Sequence, residues 1–211
     1  MKQENLEIEA KYYVSDLDPL REILHSLGAK LTDKRILERN WRFDTPDRTL
    51  TKRGEVLRIR EDRRIRLTYK RSVQGTLERV EIEFEVSDWL KTKLFLEAIG
   101  YHAFFIYEKF RETFELGDVE IVLDEVPYGT FVEIEGPSIE SIRHASDKLH
   151  LRWDFRLSST YLVIFERLKQ ELKLPFSDAT FDAFAQVDKV LPEDLGLKNG
   201  FQVDPFMEGS P

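Results

Sequence analysis

The sequence lacks cysteine altogether, which excludes several kinds of site from its 211 residues. Without a thiol there is no disulfide framework, no thiolate zinc site and no cysteine nucleophile. Long apolar runs are also missing, since none approaches the roughly 18–20 residues that a membrane helix needs. Residues 1–4 are polar and do not resemble the start of a signal peptide. These absences predict a cytoplasmic protein that does not bind membranes.

Charge is the property that the sequence has in excess. Lys, Arg, Asp and Glu make up 34% of the residues, against roughly 25% in an ordinary globular chain. The net charge is nevertheless −8, so a basic surface that binds nucleic acid is not expected. The charges must serve another purpose, either on a solvated surface or at a site.

Alternating apolar and polar residues predict about eight strands, with amphipathic helices between groups of them. The predicted strands are 6–11, 36–44, 55–60, 65–70, 79–86, 105–114, 119–124 and 131–135, and the predicted helices are 16–27, 88–99, 138–149 and 161–172. Ser15 or Asp16 is expected to cap the first helix, and Ser87 or Asp88 the second. This order predicts an α+β fold in which a closed eight-stranded antiparallel β-barrel has helices packed on the outside.

The chain is expected to divide into a barrel domain, 1–172, and a C-terminal extension, 173–211. Short helices are predicted in the extension near Phe181 and Pro192, and its phenylalanines indicate that it packs on the barrel. The end after about Phe206 is expected to be loose.

Charged residues recur at alternate positions, so each predicted strand has one charged face and one apolar face. Arg79, Glu81 and Glu83 share one face, whereas Val80 and Ile82 lie on the other. Two arrangements bury the apolar faces, and the pattern leaves both open. Either the apolar side chains fill the barrel and the charges face water, or helices cover the outside and the charges line the bore. A charged bore requires compensation, which a polyphosphate with bound metal ions provides.

The charged strands carry an ordered set of motifs. They are Glu7-Ile8-Glu9-Ala10-Lys11, Phe43-Asp44-Thr45-Pro46, Leu57-Arg58-Ile59-Arg60, Leu67-Thr68-Tyr69-Lys70, Arg79-x-Glu81-x-Glu83, Lys109-Phe110-Arg111, Leu123-Asp124-Glu125 and Gly129-x-Phe131-Val132-Glu133-Ile134-Glu135. In this order, from about residue 5 to about residue 170, the chain resembles the CYTH superfamily, also called the triphosphate tunnel metalloenzymes. The first motif alone is unspecific because acidic strands are common, but the ordered set is specific.

The resemblance implies that 1–172 is an eight-stranded tunnel domain that binds a small triphosphate with Mg²⁺ or Mn²⁺, as a monomer or homodimer. The implied catalytic residues are Lys11, Glu9 and Asp124. The implied phosphate ligands are Lys11, Arg58, Arg60, Lys70, Arg79, Lys109 and Arg111. The implied metal ligands are Glu7, Glu9, Glu133 and Glu135, with Glu81 and Glu83 as further candidates that could instead only balance the arginines.

The resemblance leaves three functions open. The first is hydrolysis of inorganic tripolyphosphate, thiamine triphosphate or a nucleoside triphosphate. The second is class IV adenylyl cyclase activity, which converts ATP to cyclic AMP and pyrophosphate. The third is a polyphosphate- or nucleotide-binding module without catalysis. Arg42 keeps the third open, because it stands where many relatives have a tyrosine, which in some members can assist the tunnel lysine. Arg42 weakens the case for Lys11 as a general base and adds another cation for phosphate.

Overall fold

The fold was obtained as a computed structural model that describes residues 6–73 and 78–201. In chain order its elements are β1 (Leu6–Val14), α1 (Asp18–Ser26), β2 (Lys30–Asp44), α2 (Thr49–Lys52), β3 (Glu55–Glu61), β4 (Ile65–Ser72), β5 (Glu78–Glu85), α3 (Trp89–Ala98), β6 (His102–Leu116), β7 (Val119–Val126), β8 (Gly129–Gly136), α4 (Ile139–Lys148), α5 (Tyr161–Glu171), α6 (Phe181–Phe184) and α7 (Pro192–Leu195). None of the helices within these residues has the length and apolar character to cross a membrane.

The eight strands form one antiparallel sheet in the order β1-β5-β4-β3-β2-β6-β7-β8. β1 pairs with β8 from Ile8 to Val14 and with β5 only from Leu6 to Ile8. The predicted α+β class and eight antiparallel strands are therefore confirmed. β2 and β6 are both longer than predicted, and their outer halves pair with each other from Lys30 to Asp33.

The helices begin near the predicted residues, with one corrected cap. Asp88 caps α3 by accepting a hydrogen bond from the backbone N–H of Lys91 at 2.9 Å, as predicted. The cap of α1 was predicted at Ser15 or Asp16, but the helix begins after Leu17, which makes no side-chain cap. Proline at the second position of α1 fixes its backbone angle and needs no N–H partner, so the helix can begin there without a polar cap.

The apolar faces of the strands lie on the outside of the sheet, and α1 and α4 cover part of this surface. On β5 the outer face stays open, since Ile82 is 48% and Phe84 53% exposed. Leu20 and Leu24 of α1 and Ile142 of α4 pack with Ile121 and Ile134 in one fully buried cluster. The opposite faces bury charged side chains instead: Lys11, Glu38, Arg42, Arg58, Lys109 and Asp124 are each 9% exposed or less. Of the two arrangements that the sequence left open, the one with charges in the bore is therefore the one the structure has.

The chain after α5 lies along β6. Ala179 donates its N–H to the carbonyl of Ile106 at 2.8 Å and accepts from the N–H of Glu108 at 3.0 Å, which adds a short parallel bridge to that strand. Phe184 and Leu195 are buried in the same apolar cluster as α5. Both short helices lie where the sequence predicted them. The expected loose end beyond Phe206 lies outside the described residues.

Candidate functional site

The inner faces of the strands enclose a cavity of about 310 Å³, which the first turn of α5 covers with Thr160, Tyr161 and Leu162. Most of the residues predicted for the site line it together. They are Glu9, Lys11, Arg58, Arg60, Lys70, Arg79, Glu81, Glu83, Lys109, Arg111, Glu133 and Glu135. The two exceptions are Asp124, which is buried behind the cavity wall, and Glu7, whose side chain lies outside the described part of the structure.

One wall of the cavity is built around Lys11 and Glu133, which face each other across β1 and β8. The Nζ of Lys11 lies 2.8 Å from Glu133 Oε1, and Arg111 Nη2 lies 2.6 Å from Glu133 Oε2. Burial opposes both charges, but Glu133 and Glu9 raise the pKa of Lys11 above its ordinary value. Lys11 and Arg111 likewise outweigh burial and hold the pKa of Glu133 well below its usual range. These carboxylates therefore favour the protonated form of Lys11.

Asp124 anchors the cations of this wall from behind. Its carboxylate is fully buried and accepts from Lys109 Nζ at 2.9 Å, from Arg111 Nε at 2.8 Å and from the Tyr161 hydroxyl at 2.8 Å. The ring of Tyr161 also lies under Lys11, whose Nζ is 4.1 Å from the ring centroid. Burial together with the charge of Asp124 raises the pKa of Tyr161 well above its ordinary value. Asp124 thus fixes the positions of three groups that face the cavity or cover it.

The opposite wall also pairs cations with carboxylates. Arg60 Nη2 lies 2.6 Å from Glu83, and Lys70 Nζ lies 2.6 Å from Glu81. Arg79 Nη1 lies 2.5 Å from Glu9 at the seam between β5 and β1. These predicted phosphate ligands and metal ligands therefore neutralise one another in the structure.

Glu38 is a buried member of the site that was not among the predicted residues. It is 1% exposed, lies opposite Lys109 across β2 and β6, and accepts from Asn40 Nδ2 at 2.9 Å. Burial opposes its ionisation, but Lys109, Arg111 and Arg60 hold the pKa of Glu38 well below its ordinary value. Alternation along β2 places Glu38 and Asn40 on the same strand face as Arg42, but the charged Arg39 between them hides the pattern, and nothing in it shows that Glu38 is buried.

Three carboxylates lie side by side on neighbouring strands. Glu135 is directly opposite Glu9 on β1 and directly opposite Glu120 on β7. Partial burial raises the pKa of Glu120, a residue that the sequence reasoning missed although it shares a strand face with Asp124. Like charges opposite one another destabilise a sheet, and oxygen donors of this kind suit Mg²⁺ or Mn²⁺. The donor chemistry therefore fits a divalent metal, although no three His, Asp or Glu within residues 6–73 and 78–201 converge at coordination distance.

A second cavity, of about 450 Å³, adjoins the first and shares Arg60, Arg111 and Glu120 with it. Its remaining wall is mostly charged and includes Arg63 and Arg66. No aromatic residue is found among the described residues that line it. This end of the bore therefore offers charged groups to a ligand, and no ring on which a nucleoside base could stack.

The comparisons with known proteins agree with this geometry. The sequence model of the CYTH domain matches residues 5–151. This chain belongs to the CYTH domain family. A relative in Methanocaldococcus jannaschii, MJ0240, is named as a candidate adenylate cyclase and is 31% identical over 134 residues, which are 62% of this chain and 76% of the relative.

Solved structures show that other CYTH-like proteins share this fold. A candidate adenylate cyclase from Vibrio parahaemolyticus superposes with a TM-score of 0.69 at 23% identity, over 77% of this chain and 98% of that one. HpAC1 from Hippeastrum, a candidate adenylyl cyclase described as having a dominant triphosphatase activity, superposes with a TM-score of 0.55 at 15% identity, over 77% and 95%. At these identities the likeness concerns the fold alone.

The charge pairs of this CYTH domain predict acid-sensitive stability. Glu38 and Glu133 have pKa values well below the ordinary value in the folded protein, so their stabilisation is complete above the unfolded pKa of about 4.3. It is lost as pH falls through the folded pKa values. We expect the free energy of unfolding, measured with urea, to fall steadily from pH 5 to pH 3. Glu38→Gln should flatten that dependence and Glu85→Gln, an exposed control, should not. A flat wild-type profile would contradict the prediction.

Proposed function

We propose that this protein hydrolyses the terminal phosphoanhydride bond of a small triphosphate, with Mg²⁺ or Mn²⁺ as its cofactor. The observation that carries the proposal is the pairing of several cations of the cavity with carboxylates of the same cavity. Lys11 pairs with Glu133 at 2.8 Å, Lys70 with Glu81 at 2.6 Å and Arg79 with Glu9 at 2.5 Å. A phosphate chain competes with these carboxylates for the cations, because charge-assisted bonds to phosphate are at least as favourable.

Binding of a triphosphate would exchange the partners inside the cavity. Phosphate oxygens would take Lys11, Lys70 and Arg79, which would free their partners Glu133, Glu81 and Glu9. The carboxylates of the cavity would then hold the metal ions. They are Glu9, Glu81, Glu83, Glu120, Glu133 and Glu135. When bound, the metal neutralises charge on the phosphate oxygens and orients the reacting phosphorus.

The protein itself contributes little covalent chemistry to the hydrolytic step. The oxygen of a water molecule bonds to the terminal phosphorus while the bridging P–O bond breaks, and the electron pair of that bond stays on the leaving diphosphate. One proton of the water stays on the attacking oxygen, and the other passes to a second oxygen of the orthophosphate formed. A loose transition state of this kind needs positioning and positive charge more than a strong base, which agrees with the protonated state of Lys11. Asp124 acts here as a positioning residue for Lys109 and Arg111.

The architecture supports a continuous tunnel around the substrate. β1 pairs with both of its neighbours, β5 and β8, so the strand order returns to its start. We propose that the sheet works as a closed tunnel and that the extension after residue 172 braces it. The bridge of Ala179 to β6 and the buried contacts of Phe184 with α5 are the supporting contacts.

Class IV adenylyl cyclase activity is the second candidate, favoured by the name of the Methanocaldococcus relative. In that reaction the ribose 3′-hydroxyl attacks the α-phosphorus and pyrophosphate leaves. It requires a place for the nucleoside at one end of the bore. The aromatic rings of the cavity are already packed, Tyr107 against Phe105 and Tyr161 against Phe131, which favours the hydrolase.

The deciding experiment incubates the protein with tripolyphosphate, thiamine triphosphate or ATP, each with Mg²⁺ or Mn²⁺, and separates the products by chromatography. We expect orthophosphate and the corresponding diphosphate, and no product when EDTA replaces the metal. Cyclic AMP with pyrophosphate from ATP would establish the cyclase instead. Calorimetric binding of tripolyphosphate with no product from any substrate would establish the binding module and overturn the proposal.

A further inference from the structure

The outer side of the molecule around α3 carries many exposed apolar side chains. Twelve large apolar side chains are exposed within residues 6–73 and 78–201, and six of the twelve fall between residues 82 and 99. These six, which we call the α3 surface, are each 48–61% exposed. They are Ile82 and Phe84 on β5, and Leu90, Leu94, Phe95 and Ile99 on or directly after α3.

α3 is apolar on its outer sides as well as on the side that packs on the sheet. Leu96 faces the sheet and is 3% exposed. Leu90 and Leu94 form a second row along the helix, one turn apart, and Phe95 and Ile99 form a third. A helix that packs by one side has polar residues on the others, whereas a helix that is apolar all round is buried. The composition of α3 is therefore that of a covered helix, although its outer rows are exposed among the described residues.

The open face of β5 borders the same apolar cluster on which α3 packs. Ile82 and Phe84 lie on one face of the strand, about 7 Å apart, and Phe84 is directly opposite Leu67 of β4. Leu67 in turn packs against the buried cluster that contains Leu96 of α3. The exposed side chains of the strand and of the helix therefore belong to one region on the outside of the sheet.

The apolar area of the α3 surface matches what a stable dimer needs. Half-exposed side chains of this size each leave roughly 100 Å² accessible, so the six together leave roughly 600 Å². Monomeric proteins rarely expose more apolar area than this in one region. A standard interface buries about 800 Å² on each partner, of which about two-thirds is apolar in homodimers. The six residues alone therefore supply the apolar area that one copy contributes to such an interface.

The charges on α3 balance one another and so favour a second copy of the chain over a charged partner. Lys93 pairs with Glu97 at 2.6 Å, and Lys91 lies 3.5 Å from Asp88, the residue that caps the helix. Because each lysine has its own carboxylate, the helix offers no net positive charge to an anionic membrane. A contact between identical surfaces places like charges near one another, and a balanced surface avoids that repulsion.

We propose that the α3 surface is the contact between two copies of this chain related by a two-fold axis. α3 of one copy packs against α3 and the outer face of β5 of the other, which buries the exposed rows of the helix and the open face of the strand. The cavity lies on the inner faces of the strands, so each copy keeps a complete site. The dimer is therefore independent of the proposed hydrolysis.

The test is sedimentation velocity of wild type and Phe95→Glu at concentrations from micromolar to submillimolar. We expect wild type to form a dimer of twice the 25.0 kDa of one chain. Phe95→Glu should raise the Kd of the dimer roughly 100-fold or more, because buried aromatic residues dominate such contacts and a two-fold contact carries the substitution twice. Ile139→Glu is the matched control, since it makes the same kind of change at a 47% exposed side chain on α4, and its Kd should equal that of wild type.

Each contrary outcome would overturn the contact for a different reason. Wild type that stays monomeric at submillimolar concentration would show that the surface does not join two copies. A dimer that Phe95→Glu leaves intact would place the interface on another face. Binding of monomeric wild type to neutral or anionic vesicles, lost in Phe95→Glu, would make a membrane the occupant. If circular dichroism shows that Phe95→Glu does not fold, Ile82→Glu on β5, which should weaken the dimer in the same way, decides in its place.

Discussion

Glu9→Gln is expected to lower kcat on tripolyphosphate by roughly 100- to 1000-fold, the size typical of removing one preorganised polar group from an active site. Glu9 lies in the cavity opposite Glu135 and pairs with Arg79 at 2.5 Å. The substitution keeps the size of the side chain and removes the negative charge that would hold a metal ion. Product release measured by chromatography at saturating Mg²⁺ or Mn²⁺ gives kcat directly.

This variant should remain folded, because its partner Arg79 is 28% exposed and water can solvate it. Glu85→Gln is the control. Glu85 is on the same strand as Glu83, but it is 58% exposed and pairs with Arg64 on the surface, so kcat should stay near that of wild type. A Glu9→Gln enzyme with wild-type kcat would remove Glu9 from the catalytic machinery, and equal losses in both variants would point to a general effect of charge.

Asp124→Asn is expected to give the largest loss of stability, about 3–5 kcal/mol, because it breaks a buried ion pair and leaves its cations uncompensated. Asp124 is fully buried and contacts Lys109 and Arg111, of which Lys109 is itself only 2% exposed. The asparagine has nearly the same shape, so the loss measures charge and not packing. Urea denaturation at pH 7 gives the free energy of unfolding.

The matched control for this measurement is Asp33→Asn. Asp33 also pairs with an arginine, Arg63 at 3.0 Å, but both side chains are more than half exposed. Surface pairs contribute about 0–1 kcal/mol, so the control should unfold almost as wild type does. If the free energy of unfolding falls by a similarly small amount in both variants, the ion pairs of Asp124 do not stabilise the fold. The role of Asp124 as anchor of Lys109 and Arg111 would then have to be abandoned.

Alternation within strands was enough to predict the eight strands and to divide their side chains into a charged face and an apolar face. The period of two places Arg58 with Arg60, and Glu133 with Glu135, on one face, and in the structure each of these pairs lines the cavity. The ordered motifs led to the CYTH family, to which the chain belongs. The catalytic, phosphate-binding and metal-binding roles of these residues remain predictions, which the experiments above test.

The sequence did not show the full length of β2 or the buried position of Glu38. The first half of β2 is solvent-exposed on both faces, so it has no apolar alternation, and it is a strand because its backbone pairs with β6. Glu38 reads as an ordinary charged residue. Only the neighbouring strands, which bring Lys109 and Arg60 to it, make it a buried anion with a strongly lowered pKa.

Which face of the sheet is the inside was also decided by tertiary structure alone. Strand periodicity separates charged from apolar side chains. The alternation is identical whether the charged face or the apolar face lies on the inside of the curved sheet. Helices α1 and α4 settle the choice, because Leu20, Leu24 and Ile142 need an apolar surface to cover and the outside of the sheet provides it. By itself the sequence determined which residues share a face. Packing of the helices turned the charged faces toward one another and placed Arg42 opposite Arg58, where neither forms an ion pair with a carboxylate of the described residues.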